Sequence, residues 1–196
     1  MLHRFDDLPL HQSGRPLLHP VGAGPDLFES YLFNGHAEDG SLVFAFHLGL
    51  YPVRGIIDAA FSAVIDGEQV SVLASGRAPA DRTRTRVGPL ELEVVEPMRV
   101  LRIHCRAGEP LDGELTFTAR TAAVEEPPHL HVVDGVTVAD HTGVTQWGSW
   151  SGTIAIDGHR FTIEPAIRGC RHRSWGHRPL QPPGAVAPAA GVSGLP

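Results

Sequence analysis

Ser41-Leu-Val-Phe-Ala-Phe-His-Leu-Gly-Leu-Tyr51 decides the fold class. In an extended chain Leu42, Phe44, Phe46, Leu48 and Leu50 share one face, while Val43, Ala45, His47, Gly49 and Tyr51 share the other. Large apolar groups at every second position signal a strand buried on one side. Residues 55–65 read as the next strand, and Asp66-Gly67 joins it to another at 69–74, because an Asp-Gly pair readily takes the positive φ angles of a two-residue hairpin. Further strands are expected at 90–95, 100–105, 113–124, 145–156 and 160–167, the last two joined by Asp157-Gly158. No stretch carries a 3.6-residue apolar stripe of helical length. Turns about every ten residues, too short for parallel crossovers, indicate an all-β antiparallel barrel or strongly curved sandwich.

Around this core, residues 1–28 are rich in Pro, Gly, His and Leu without sustained period and are expected to be an extended lead-in. Residues 29–178 form the single expected β domain. Residues 179–196, mostly Pro, Ala and Gly, bury too little surface to offset ordering entropy and read as a disordered tail.

Composition narrows the function. At 196 residues and 42% hydrophobic content, the chain suits one globular domain with a sizeable core. The net charge of −6 argues against nucleic acid, which demands concentrated positive charge. All sixteen basic residues are arginine, so no chain lysine is available for a Schiff base or a phosphate-loop contact. Two cysteines make no disulfide framework. A polar, acidic start and the lack of any run of 18 apolar residues point to a cytoplasmic protein without a membrane span.

The chemistry-bearing residues are few. Asp58 lies in the apolar run Ile56-Ile57-Asp58-Ala59-Ala60-Phe61, where burial raises a carboxyl pKa and lets it donate a proton to an alkene. His47 and Tyr51 share a strand face and are expected to join Asp58 in the barrel interior, positioning water or substrate. Against this stands a simple ion pair between Asp58 and Arg54. Arg82, Arg84 and Arg86 alternate, which sets them on one face either to grip a ligand anion or to guard a sheet edge. His129 and His131 offer a cupin-like pair, but Gly135 stands where the next ligand is needed; Cys170, His172 and His177 match no common zinc spacing. No metal or cofactor is therefore invoked. There is no serine elbow and no G-x-G-x-x-G fingerprint.

All three tryptophans fall in Gln146-Trp-Gly-Ser-Trp-Ser-Gly152 and Arg171-His-Arg-Ser-Trp-Gly-His-Arg178. Indole N–H and guanidinium groups need partners once buried, so Trp147, Trp150, Arg171, Arg173 and Trp175, with Arg54, are expected to wall a ligand or hold a structural junction. Together with Tyr31…Asn34-Gly-His-Ala-Glu-Asp-Gly40, His47-Leu-Gly-Leu-Tyr-Pro52 and Arg120-Thr-Ala-Ala-Val-Glu-Glu-Pro127, these motifs resemble the amino-terminal lobe of a lipocalin-like family. That family is related to carotenoid 1,2-hydratase (hydroxyneurosporene synthase) and to tocopherol-cyclase-like proteins. The resemblance implies a lipocalin- or calycin-like lobe that binds an isoprenoid- or polyketide-like molecule and acts on a double bond by cofactor-independent hydration, cyclisation or isomerisation. His172 departs from the aspartate common in relatives. Because the resemblance covers one lobe of two, the alternative is a non-catalytic carrier or a subunit, partnered by a second copy or by a separately encoded second lobe.

Overall fold

A computed structural model describes residues 24–164 and 167–179. Thirteen strands run β1 (Leu27–His36), β2 (Leu42–Tyr51), β3 (Ile56–Ile65), β4 (Glu68–Arg77), β5 (Arg86–Val87), β6 (Leu90–Glu96), β7 (Val100–Arg106), β8 (Leu111–Ala119), β9 (Val124–Glu125), β10 (His129–Val133), β11 (Val136–Ile156), β12 (His159–Ile163) and β13 (Arg168–His177). They form a nearly closed antiparallel barrel in the order β4-β3-β2-β1-β13-β11-β8-β7-β6-β5, with β9, β10 and β12 also pairing with β11. At the seam the small residues of β4 meet the β5 turn: a Cβ at Gly88 would lie 3.1 Å from that of Ala74. The expected lipocalin-like barrel is the fold observed.

Three hairpins turn on Asp-Gly pairs with both φ angles positive: Asp66 and Gly67 (52° and 81°), Asp134 and Gly135 (50° and 77°), Asp157 and Gly158 (47° and 79°). These are the angles of a turn whose twist matches the flanking strands. The second was not among the expected hairpins. It opens the 21-residue β11, whose first half the expectation of 145–156 missed because Val136–Val144 lacks clean alternation. The span expected at 113–124 splits into β8 and β9, and that expected at 160–167 closes early, at Ile163. The ends of the domain were the least visible. β1 and β13 pair with each other in the middle of the sheet, register Tyr31↔Arg173 and Phe33↔Arg171. The expected lead-in at 1–28 and tail at 179–196 lie largely outside the described residues.

Inward positions follow the alternation. Phe33, Phe46 and Phe61 are cross-strand neighbours in one row, joined in the interior by Phe44, Phe117 and Trp150 with ring centroids 5.2–6.4 Å apart. Tilted and edge-to-face contacts at these distances suit the ring quadrupoles. Trp150 donates its indole N–H to the Asn34 carbonyl at 2.8 Å, and Gly169 leaves room for that bond.

One wall of this interior is charged. Arg173 is 0% exposed, its guanidinium 4.4 Å from the Tyr31 ring centroid and bonded to Glu29. Burial opposes its charge, but Tyr31 and Glu29 hold it above the usual arginine range. Arg82 closes on the same Glu29 at 2.7 Å. Arg171, equally buried, donates to Gln146 Oε1 at 2.8 Å. A buried carboxylate shared by two guanidiniums is costly to dismantle, because each partner left behind is a charge out of water. The expected single face of Arg82, Arg84 and Arg86 does not form. Their segment turns, so Arg82 is buried while Arg84 and Arg86 stay exposed.

Candidate functional site on the outer face

The alternation that fills the barrel with Phe44, Phe46, Leu48 and Leu50 necessarily turns His47, Gly49 and Tyr51 outward. Asp58 pairs with Gly49 across the β2–β3 hairpin and faces the same way, since Ile57, Ala59 and Phe61 take the inward positions of β3. The structure thus brings the three expected catalytic residues together, but outside the barrel. Their expected interior placement is corrected: His47 and Asp58 side chains are 36% and 37% exposed.

Gly49 is the pivot of the group. A Cβ there would lie 2.7 Å from Asp58 Oδ1 and 2.8 Å from the Tyr51 hydroxyl, so only glycine lets both side chains fold across the strand. The carboxylate accepts the Gly49 backbone N–H. His47 Nδ1 stands 3.9 Å from Asp58 Oδ1, and Nε2 lies 3.2 Å from Ser30 Oγ on β1. Burial pushes the Asp58 carboxyl up, against the opposing pull of His47 and the Gly49 bond. Burial pulls His47 down, partly offset by Asp58. Burial and the Asp58 charge both raise Tyr51. The imidazole is therefore poised neutral, and the carboxyl holds its proton to higher pH than a solvated aspartate.

Strand register extends this group into a trough. Gly49, Ser30, Ser174 and Gly143 are successive cross-strand neighbours over β2, β1, β13 and β11, and small side chains floor a groove there. Tyr51 and Phe28 stand along one side, and His47, Leu32 and His172 along the other. Toward β3 and β4 lies a cavity of about 400 Å³ lined by His47, Asp58, Ala60, Leu73 and Ser75. At the β11 end a cleft of about 80 Å³ is lined by Glu126, His141, His172, Ser174 and Arg178. There Glu126 accepts from Thr145 at 2.6 Å and meets His172 Nε2 at 3.2 Å; these contacts hold its carboxyl below the usual range. Leu32, Val43, Ile56 and Leu73 project from this outer face as exposed apolar groups, Leu73 by 76%.

The other expected site residues scatter. Arg54 does not reach Asp58; it bonds Asp26 at 2.8 Å and the Pro25 carbonyl at 2.7 Å. Trp150, Arg171 and Arg173 lie inside the barrel in contact with protein groups, and Trp175 lies beside Arg173 at 5.2 Å. Trp147 points outward. His129 and His131 are exposed on β10, where His129 stacks on His141 at 4.7 Å. Among the described residues no three His, Cys, Asp or Glu side chains converge as a metal site, and no helix is long and apolar enough to cross a membrane. Ser30 was missed because β1 carries no hairpin signal. Asp58 opposite Gly49 could have been inferred from the four-residue turn at 52–55, which fixes the register of β2 against β3.

Comparison with known proteins adds the following. No curated protein matches the chain significantly. Among solved structures, kievitone hydratase from Nectria haematococca aligns with a TM-score of 0.56 and 14% identity over 76% of this chain and 48% of its own. CghA in complex with Sch210972 aligns with a TM-score of 0.51 and 17% identity over 77% of this chain and 46% of its own. A further structure of CghA gives 0.50 and 17%, over 80% and 48%. The chain spans about half the length of these proteins, and at such identity the likeness is one of fold. The model of a family of unknown function (DUF8625) matches residues 2–194, and the chain belongs to that family.

Proposed function

We propose that the protein binds a hydrophobic, isoprenoid- or polyketide-like small molecule in the outer trough and performs cofactor-independent acid–base chemistry on a double bond there. The observation that carries this reading is the convergence of Asp58, His47 and Tyr51 on Gly49 beside exposed Leu32 and Leu73. In a hydration, protonated Asp58 gives its proton to one alkene carbon, and neutral His47 takes a proton from the water that adds to the other. Tyr51 and Ser30 orient that water or a substrate oxygen. No group is consumed, since His47 returns the proton to Asp58 across 3.9 Å, directly or through a water. The fold neighbours include kievitone hydratase and CghA with Sch210972, which supports the reaction class.

The pH dependence follows from opposed shifts. Activity needs Asp58 protonated and His47 neutral, and burial moves the two pKa values toward each other. Turnover should trace a bell between about pH 4 and 6.5. The test is to extract the purified protein with organic solvent, identify the bound molecule by mass spectrometry and assay its conversion. Asp58→Asn is expected to abolish turnover with binding retained; full turnover in that variant removes Asp58 from the mechanism.

A second reading is favoured by the apolar projections alone. Leu32, Val43, Ile56 and Leu73 would suit a face covered by a second copy or a second lobe, making this chain a carrier or subunit. Light scattering at micromolar concentration separates the two: a stable dimer whose formation Leu73→Glu abolishes supports the subunit reading.

A further inference from the structure

A second cavity, of about 470 Å³, lies over β1, β13 and β11 and shares no lining residue with the one beside Asp58. Its wall includes Trp147, Arg120, Arg168, Asn34, Thr121 and Cys170. Trp147 is 51% exposed, although Trp150, three positions on in the same strand, is fully buried. The backbone that carries the indole is firmly held. Trp147 donates its backbone N–H to Thr121 Oγ1 at 3.2 Å, and its carbonyl accepts the Arg120 and Thr121 N–H groups at 2.9 and 3.3 Å. Opposite it, Asn34 clamps Cys170, accepting its N–H at 3.1 Å and donating to its Sγ at 3.2 Å. The backbone of this wall needs no ordering when a ligand arrives.

The charge here runs against the rest of the molecule. In a chain of net charge −6, the described residues that line this cavity supply two guanidiniums, the His36 imidazole and no carboxylate. Arg120 donates Nε to Ser149 Oγ at 3.2 Å, which aims the guanidinium; its terminal nitrogens have no partner among the described residues. Among the described residues Arg168 has only Glu38, 3.9 Å away with both side chains largely exposed, a contact that water screens. An indole face beside two unsaturated guanidinium forks suits a flat π system carrying an anion.

We propose that this cavity binds a planar aromatic or conjugated carboxylic acid, its ring system stacked on Trp147 and its carboxylate held by Arg168 and Arg120. The volume suits a small molecule of two to four fused or linked rings. The site stands independently of the trough chemistry.

The test uses the full chain and 2-naphthoate, followed by isothermal titration and quenching of tryptophan fluorescence. Saturable one-to-one binding is expected, at least tenfold weaker for the uncharged 2-naphthamide. Trp147→Leu and the pair Arg120→Gln with Arg168→Gln should each weaken 2-naphthoate at least tenfold without changing the melting temperature. Should the double variant fail to fold, Arg168→Gln alone carries the comparison, since that side chain is 70% exposed. Asp58→Asn and His47→Gln should leave the affinity unchanged. The proposal is overturned by lack of saturation up to about 10 mM, by equal binding of acid and amide, or by affinity lost on changing Asp58 rather than Arg168.

Discussion

Replacing Trp150 by phenylalanine tests the barrel interior most directly. Trp150 packs edge-on against Phe33, Phe44 and Phe117 at 5.8, 5.2 and 5.2 Å and donates to the Asn34 carbonyl at 2.8 Å. Phenylalanine keeps one ring but leaves that carbonyl without its indole donor, at a cost of about 1–3 kcal/mol. The lost ring volume adds about 1–2 kcal/mol, a fraction of the penalty for truncation to alanine. The sum, about 2–5 kcal/mol, is large against a domain stability of roughly 5–15 kcal/mol. At about 2–4 °C per kcal/mol for a chain of this size, the melting temperature should fall by about 4–20 °C. Trp147→Phe is the internal control and should cost under about 0.5 kcal/mol, because its indole faces solvent. Urea unfolding followed by circular dichroism gives both values without relying on tryptophan emission. Equal losses in the two variants, or a Trp150→Phe loss below about 1 kcal/mol with an unchanged slope, would refute the packing and bonding described. Gly169→Ala should mimic the defect, since its Cβ would lie 1.9 Å from the Asn34 carbonyl oxygen.

Further outcomes concern the charged and titrating groups. Glu29→Gln leaves Arg82 and Arg173 buried without their shared carboxylate and should cost about 3–5 kcal/mol, read from the same urea transitions. Asp58 has a raised pKa in the folded state, so it binds its proton more tightly there than when unfolded. Its favourable contribution is complete below the unfolded value near ~4 and lost as pH rises through the folded one. Wild type should therefore lose stability relative to Asp58→Asn as the pH rises above about 4. His47 has the opposite sign: its lowered pKa removes stability as pH falls through about 6.5, a loss that His47→Gln should not show. Burial pushes the Cys105 thiol up to about 11, so at pH 7.5 maleimide should label Cys170 first and Cys105 only on unfolding. Mass spectrometry of the labelled peptides reads that order.

Local periodicity and turn chemistry made the all-β class legible. Residues 41–51 alternate so cleanly that the inward row of Phe44, Phe46, Leu48 and Leu50 follows from spacing alone, and Asp66-Gly67 and Asp157-Gly158 mark hairpins because few other pairs accept two positive φ angles. The same alternation puts His47, Gly49 and Tyr51 on one face. Which face meets water is decided by how the sheet closes, and closure depends on β1 pairing with β13, more than 130 residues apart in the chain. That long-range pairing is also what gathers Glu29 with Arg173. No residue type or spacing encodes it locally, since it is selected by the burial gained when the whole barrel curls.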